Sequence, residues 1–287
     1  MDARPSPLAG KWYPGDPDVL AQEVDTHLAA GVSRDSRGEL IGVIAPHAGM
    51  RFSGPVAGHA FKPVVGRNFE TVAVIGPSHY ASSSPLLTCG HEVFETPLGG
   101  VPVDRERVDE VNDAIRSRLG FGLTPVRNDS EHSLEMELPF LQRALGDFML
   151  VPIVIVEQSE TICRAAGEAL AECLRGRNAL LVASSDLSHF HAQDVATRLD
   201  EEMLRRVGEF DPVAVLEAER RGVGYACGRG AIAASFWASR GLGGRSSEVL
   251  KRATSGDVTG DYSSVVGYGA AAIWGDSELS TDAGAPS

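Results

Sequence analysis

The chain has no apolar run that approaches the roughly 20 residues needed to span a bilayer. Its N-terminal stretch, "MDARPSPLAGKWYPGDP", has no apolar core that would serve as a secretion signal. A membrane protein is therefore not expected, and a cytoplasmic location is. Cysteine is scarce: Cys89, Cys163, Cys173 and Cys227 are scattered over 287 residues with no C-x-x-C pair. That spacing suggests neither a zinc ribbon nor a disulfide framework, which suits a reducing compartment. Positive charge is in deficit. Lys and Arg number 26 against 39 Asp and Glu, for a formal net charge of −13. A general nucleic-acid binder needs basic surface to meet phosphate, so no nucleic-acid partner is expected. Several common catalytic motifs are also missing. There is no G-x-x-x-x-G-K-[ST] phosphate loop, no G-x-S-x-G nucleophile elbow and no G-x-G-x-x-G after a strand. The chain also lacks H-E-x-x-H and the H-x-E with P-C-x-x-C of zinc deaminases.

What is present is ordinary globular material, 43% hydrophobic and 23% charged. Four short runs are continuously apolar: "LIGVIA" (40–45), "TVAVIG" (71–76), "MLVPIVIV" (149–156) and "ALLVAS" (179–184). Runs of this kind suit strands covered on both faces, as in parallel sheets. "VVGYGAAAIW" (265–274) reads as a fifth strand. Helical spacing lies between them. "DPDVLAQEVDTHLAAG" opens with Asp16 as an N-cap and stops at Gly31. "DRERVDEVNDAIRSRLG" puts Val108, Val111, Ile115 and Leu119 on one face. "SLEMELPFLQRALG", "ETICRAAGEALAECLRG", "QDVATRLDEEMLRRVG" and "GRGAIAASFWASRG" also read as helices. The alternation predicts an α/β fold with a largely parallel central sheet and helices on both faces. No linker interrupts it, so one domain over 1–275 is expected, followed by a small, polar tail (276–287) that reads as disordered.

Three of the apolar runs end in histidine-bearing loops. "VIAPHAG" leads into His47, "TVAVIGPSHY" into His79, and "ALLVASSDLSHFH" into Asp186 and His189. In open α/β sheets, ligands bind beyond the carboxyl ends of the strands, so these residues can meet although they are far apart in sequence. A lone histidine of this sort usually caps a loop. Two in matched Pro-containing loops shift the balance toward metal ligation, where imidazole suits iron, zinc, copper and nickel. Asp186 fits either an N-cap or a group that orients a metal-bound histidine. His189 fits a ligand or an acid–base group. Cys227, in "GVGYACGRGAIAA", is either a small buried residue or a thiolate favoured by the following helix N-terminus. In "EHSLEMELPF", Glu131, His132 and Glu135 are placed to reach a site, whereas Glu135 and Glu137 fit a solvated helix face. His27, His59 and His91 are assigned to structure.

Taken together, "AGKWYPGDP", "APHAGMRFSGPVAGHAF", "IGPSHY", "FETPLGGVPVD", "EHSLEMELPFLQ", "ASSDLSHF" and "ACGRGAI" resemble the Memo family, named for a mediator of ErbB2-driven motility. Its bacterial and archaeal members are called AmmeMemoRadiSam system protein B. The resemblance spans nearly the whole chain. It implies a fold similar to class III extradiol dioxygenases, which hold non-haem iron(II) with two histidines and a carboxylate. In the Memo family the corresponding ligands are two histidines and a cysteine, which fall on His47, His79 and Cys227, with Asp186 and His189 beside them as catalytic candidates. Iron (Fe2+) is the first metal implied, with copper or zinc favoured by the softer thiolate. The resemblance also implies a functional link to an AMMECR-type protein and a radical SAM enzyme. The leading expectation is a dioxygenase-like redox site of unknown substrate. A catalytically inactive peptide- or metal-binding module is the alternative, and a metal-free hydrolase using Cys227 with His189 is a third reading.

Overall fold

The computed structural model describes residues 2–32 and 38–276. The tail expected to be disordered therefore lies, apart from Asp276, outside the described residues. The strands are β1 (Ala3–Arg4), β2 (Leu40–Ala45), β3 (Thr71–Pro77), β4 (Leu86–Cys89), β5 (Val93–Thr96), β6 (Gly99–Pro102), β7 (Thr124–Val126), β8 (Met149–Ile155), β9 (Ala179–Ser184), β10 (His189–His191), β11 (Gly244–Thr254) and β12 (Val265–Gly275). The helices are α1 (Pro17–Ala30), α2 (Met50–Phe61), α3 (Arg105–Leu119), α4 (Leu138–Leu145), α5 (Glu160–Leu174), α6 (Gln193–Gly208), α7 (Pro212–Arg220), α8 (Arg229–Gly241) and the short α9 (Gly256–Thr259).

Nine strands form the main sheet in the order β10-β12-β2-β9-β3-β8-β4-β7, with β11 paired to β12. Its centre is parallel: β2 with β9, β9 with β3, and β3 with β8. Its margins are mixed. β12 joins β2 antiparallel, and β4 joins β8 antiparallel. Every residue of β2 and β3 is buried, as expected for strands with helices on both sides. α2 packs on β2 and β12 and carries α1 and α4, while α8 packs on β2, β9 and β3 and carries α5 and α7.

The local signals explain these elements. Asp16 accepts hydrogen bonds from the backbone N–H groups of Asp18 and Val19 and so starts α1. Val108, Val111 and Ile115 form the buried stripe of α3. The expected helix "SLEMELPFLQRALG" differs. Only Leu138–Leu145 is α-helical, and the preceding "EME" is a 3₁₀ turn. α2 was not legible in the sequence. A second, three-stranded sheet of β1, β5 and β6 carries the buried Arg4, which pairs with Asp129 and Glu135.

Three neighbouring parallel strands determine where function is placed. β2, β9 and β3 lie side by side and end at the same sheet edge. Adjacent strands are about 4.8 Å apart. The loops that follow them, carrying His47, Asp186 with His189, and His79, are therefore forced together.

Candidate metal centre

His47 leaves β2 and is fully buried. Its backbone N–H donates to Asp186 Oδ1 at 2.9 Å, and the N–H of Ala48 donates to the same oxygen at 3.3 Å. Asp186 thus fixes the backbone of the His47 loop. Its other oxygen is 4.0 Å from His47 Nε2. The imidazole Nδ1 lies 2.7 Å from Ser184 Oγ, which leaves Nε2 as the free ligand atom. Burial, with His132 and His79 nearby, pushes the His47 pKa well below its ordinary value and keeps the ring neutral.

His79 stands on the open side of the cleft, its ring 5.1 Å from that of His47, centroid to centroid. Glu131 holds it twice. The His79 backbone N–H donates to Oε2 at 2.6 Å, and Nδ1 is 2.9 Å from Oε1. The same carboxylate accepts the backbone N–H groups of His132 and Ser133 at 2.8 and 2.9 Å. Burial alone would raise the Glu131 pKa, but the His79 side chain and these N–H donors outweigh it and hold the group down at about 2. An ionised carboxylate on Nδ1–H directs Nε2 outward, the arrangement that orients imidazole ligands on metals.

Cys227 sits one residue before the N-cap of α8. Its Sγ is 3.3 Å from His47 Nε2 and accepts the N–H of Asp186 at 3.2 Å. The helix N-terminus was expected to favour thiolate. Burial and the Asp186 carboxyl prevail and push the thiol pKa well up, so without a cation the sulfur keeps its proton. Two glycines allow the close assembly. A Cβ on Gly228 would fall 2.3 Å from the Ser184 carbonyl oxygen, and one on Gly76 would fall 2.6 Å from Ser133 Oγ.

Ligand atoms of His47, His79 and Cys227 lie within 4.8 Å of one another, close enough for one ion. The donor set fits a metal: both histidines have the far ring nitrogen engaged, and the thiol is buried among polar groups. The family model for Memo-like proteins matches residues 4–272. The chain belongs to the Memo family. This Memo protein is 36% identical over 284 residues to a MEMO1 family protein of Methanopyrus kandleri, covering 94% of this chain and 98% of the relative. It is 34% identical to one from Nitrosopumilus maritimus, covering 92% and 96%, and 35% identical to one from Methanothermobacter thermautotrophicus, covering 93% and 99%.

The remaining expected residues surround the cluster. His189 is half-buried on β10, with its ring 5.5 Å from Tyr225 and its Nε2 without a partner. Burial and then His79 lower its pKa. Burial takes the Asp186 carboxyl up to about 7, against the pull of the His47 and Ala48 N–H groups. His132 stacks on His79 at 4.2 Å and lies 4.4 Å from Trp12, and burial takes its pKa down to about 4. Glu131 and His132 therefore do reach the site. Glu135 does not, because it is tied to Arg4, Ser6 and Tyr13. The solvated face read for Glu135 and Glu137 is corrected. Both are fully buried, because the 3₁₀ turn points them into the protein. Ser184 was missed, and in "ASSDLSHF" nothing distinguishes it from its serine neighbours. Among the described residues, no helix is long and apolar enough to cross a membrane.

Proposed function

We propose that this Memo protein binds a metal ion through His47 Nε2, His79 Nε2 and Cys227 Sγ, at a non-haem, dioxygenase-like redox site. The observation that carries the reading is the convergence of the three donors within 4.8 Å, with the second nitrogen of each histidine already engaged. Three protein donors leave coordination positions for water or substrate. Iron(II) is the first candidate. Thiolate also suits copper(I) or zinc. When bound, the ion would supply Lewis-acid chemistry, and iron or copper would add one-electron chemistry. The chain supplies the rest: Glu131 orients His79, Asp186 holds the His47 loop, and His189 offers an unpaired ring nitrogen for a substrate proton. Loading displaces the Cys227 proton, so affinity falls as pH falls.

The test is elemental analysis of anaerobically purified parent, His47→Ala, His79→Ala and Cys227→Ala, with folding followed by circular dichroism. One ion per parent chain, lost in each folded variant, is expected. Equal metal content in all four proteins would overturn the assignment. Oxygen uptake with catechol-like substrates then separates an enzyme from a catalytically inactive peptide- or metal-binding module. The neutral, buried thiol speaks against the metal-free hydrolase, since thiolate is the nucleophilic form.

A further inference from the structure

Glu137 is fully buried, its Oε2 has no hydrogen-bond partner, and its Oε1 is 2.7 Å from Ser184 Oγ. No Lys, Arg or His is within ion-pair distance of it among the described residues, whereas Glu135, two residues away, pairs with Arg4. An isolated buried carboxylate is costly, and such groups take up a proton instead. Burial, with Asp186 nearby, pushes the Glu137 pKa in that direction.

The hydrogen bonds at Ser184 also require a proton on Glu137. Its hydroxyl has three neighbours: the Ser133 carbonyl oxygen at 2.6 Å, Glu137 Oε1 at 2.7 Å and His47 Nδ1 at 2.7 Å. A hydroxyl has one proton to give and two lone pairs to accept with. The Ser133 carbonyl can only accept, so the Ser184 proton goes to it. The other two contacts are hydrogen bonds only if Glu137 and His47 Nδ1 each donate. A carboxylate at Glu137 would place a second acceptor against a hydroxyl whose proton is already committed.

We propose that Glu137 is a positioning residue that carries a proton, donates it in a hydrogen bond to Ser184, and so holds His47 in the Nδ1–H tautomer with Nε2 free for a ligand role. It does not touch the candidate ligand atoms and acts only through Ser184. The segment "EHSLEME" then serves both histidines with carboxyl groups in opposite states. Glu131 as an anion takes the Nδ1–H of His79. Glu137 as a neutral acid orders the hydroxyl that takes the Nδ1–H of His47. The tautomer assignment stands on the hydrogen-bond geometry alone. Its consequence for metal binding rests on the function proposed above.

The test uses the metal-free full chain first. Ring-nitrogen NMR of 15N-histidine-labelled protein should show His47 as the Nδ1–H tautomer in the parent and in Glu137→Gln, whose amide N–H can also donate to Ser184. Infrared spectra at neutral pH should show a buried carboxylic-acid band in the parent that disappears in Glu137→Gln. Zinc competition titrations should then give Glu137→Gln an affinity close to the parent's. Glu137→Leu, which cannot donate, should bind about 10–100-fold more weakly, as when an outer partner of a ligand is lost. His47 found as the Nε2–H tautomer, or a missing acid band, overturns the proposal. So does a Glu137→Gln loss equal to that of Glu137→Leu, because a negative charge would then be the requirement. Should Glu137→Leu not fold, the comparison of parent and Glu137→Gln still decides. A parent that binds no zinc would refute the metal site but leave the tautomer result standing.

Discussion

Cys227 is the residue whose chemistry separates the proposed site from the two-histidine, one-carboxylate pattern of non-haem iron oxygenases. Cys227→Asp is expected to keep some metal affinity and shift preference from softer ions toward Fe(II) or Mn(II). Anaerobic competition titrations with Fe(II), Zn(II) and Cu(I) measure it, and identical preferences in parent and variant would show that Cys227 does not touch the ion. Glu131 offers a second test. Its carboxylate takes the His79 ring and three backbone N–H groups. Glu131→Gln should weaken metal binding by about 10–100-fold, measured by the same titration, while His47 keeps its contacts. At this scale the sequence was readable where a polar residue followed an apolar strand, as at His47, His79 and Asp186. It was unreadable at Glu137, because a glutamate two residues from another looks solvated. Only the contact with Ser184, 47 positions away, shows otherwise.

The elements were legible in proportion to how far local pattern decided them. "LIGVIA" and "ALLVAS" are strands over the expected residues, since continuous apolar runs with β-branched residues have few other uses. α2 escaped notice because Gly54, Pro55 and Gly58 read as helix breakers. Here the glycines serve packing: a Cβ on Gly58 would come 2.2 Å from the His27 carbonyl oxygen of α1. β11 escaped because it is largely polar, its strand state set by pairing with β12. Two substitutions differ on the same physical ground. Val74→Ala, in the fully buried β3, should cost about 2 kcal/mol and lower Tm while metal content is unchanged. Gly228→Ala must displace the chain beside Ser184, so it should cost about 1–3 kcal/mol and also lose metal. Calorimetry with elemental analysis distinguishes them, and a Gly228→Ala protein with full metal content would show that the close approach does not position Cys227.

For the whole molecule, one buried acid outside the cluster makes a separable contribution to how stability depends on pH. Asp200 is fully buried and accepts the N–H of Ser188. Burial takes its pKa from 3.8 up to about 6, against the pull of Ser188. The fold therefore binds the Asp200 proton more tightly than the unfolded chain does. Its contribution is complete below pH 3.8 and is lost as pH rises through about 6, and the loss is of the order of 3 kcal/mol. Asp186, whose pKa burial raises to about 7, adds a slope of the same sign. Asp200→Asn should therefore reduce the slope of the stability profile across the window, without abolishing it, in denaturant titrations. An unchanged slope would remove Asp200 as a source. The position of the site at the ends of β2, β9 and β3 has a consequence in time as well. His47 meets Asp186 across 139 positions and Cys227 across 180, and such distant closures are slow to form. During synthesis the chain has both histidines well before the thiol emerges, so an ion bound at the proposed site would be captured by a nearly finished fold and would not nucleate it. Stopped-flow experiments should find the refolding rate unchanged by zinc and the unfolding rate reduced. Refolding accelerated by zinc would instead place the ion at the start of the pathway.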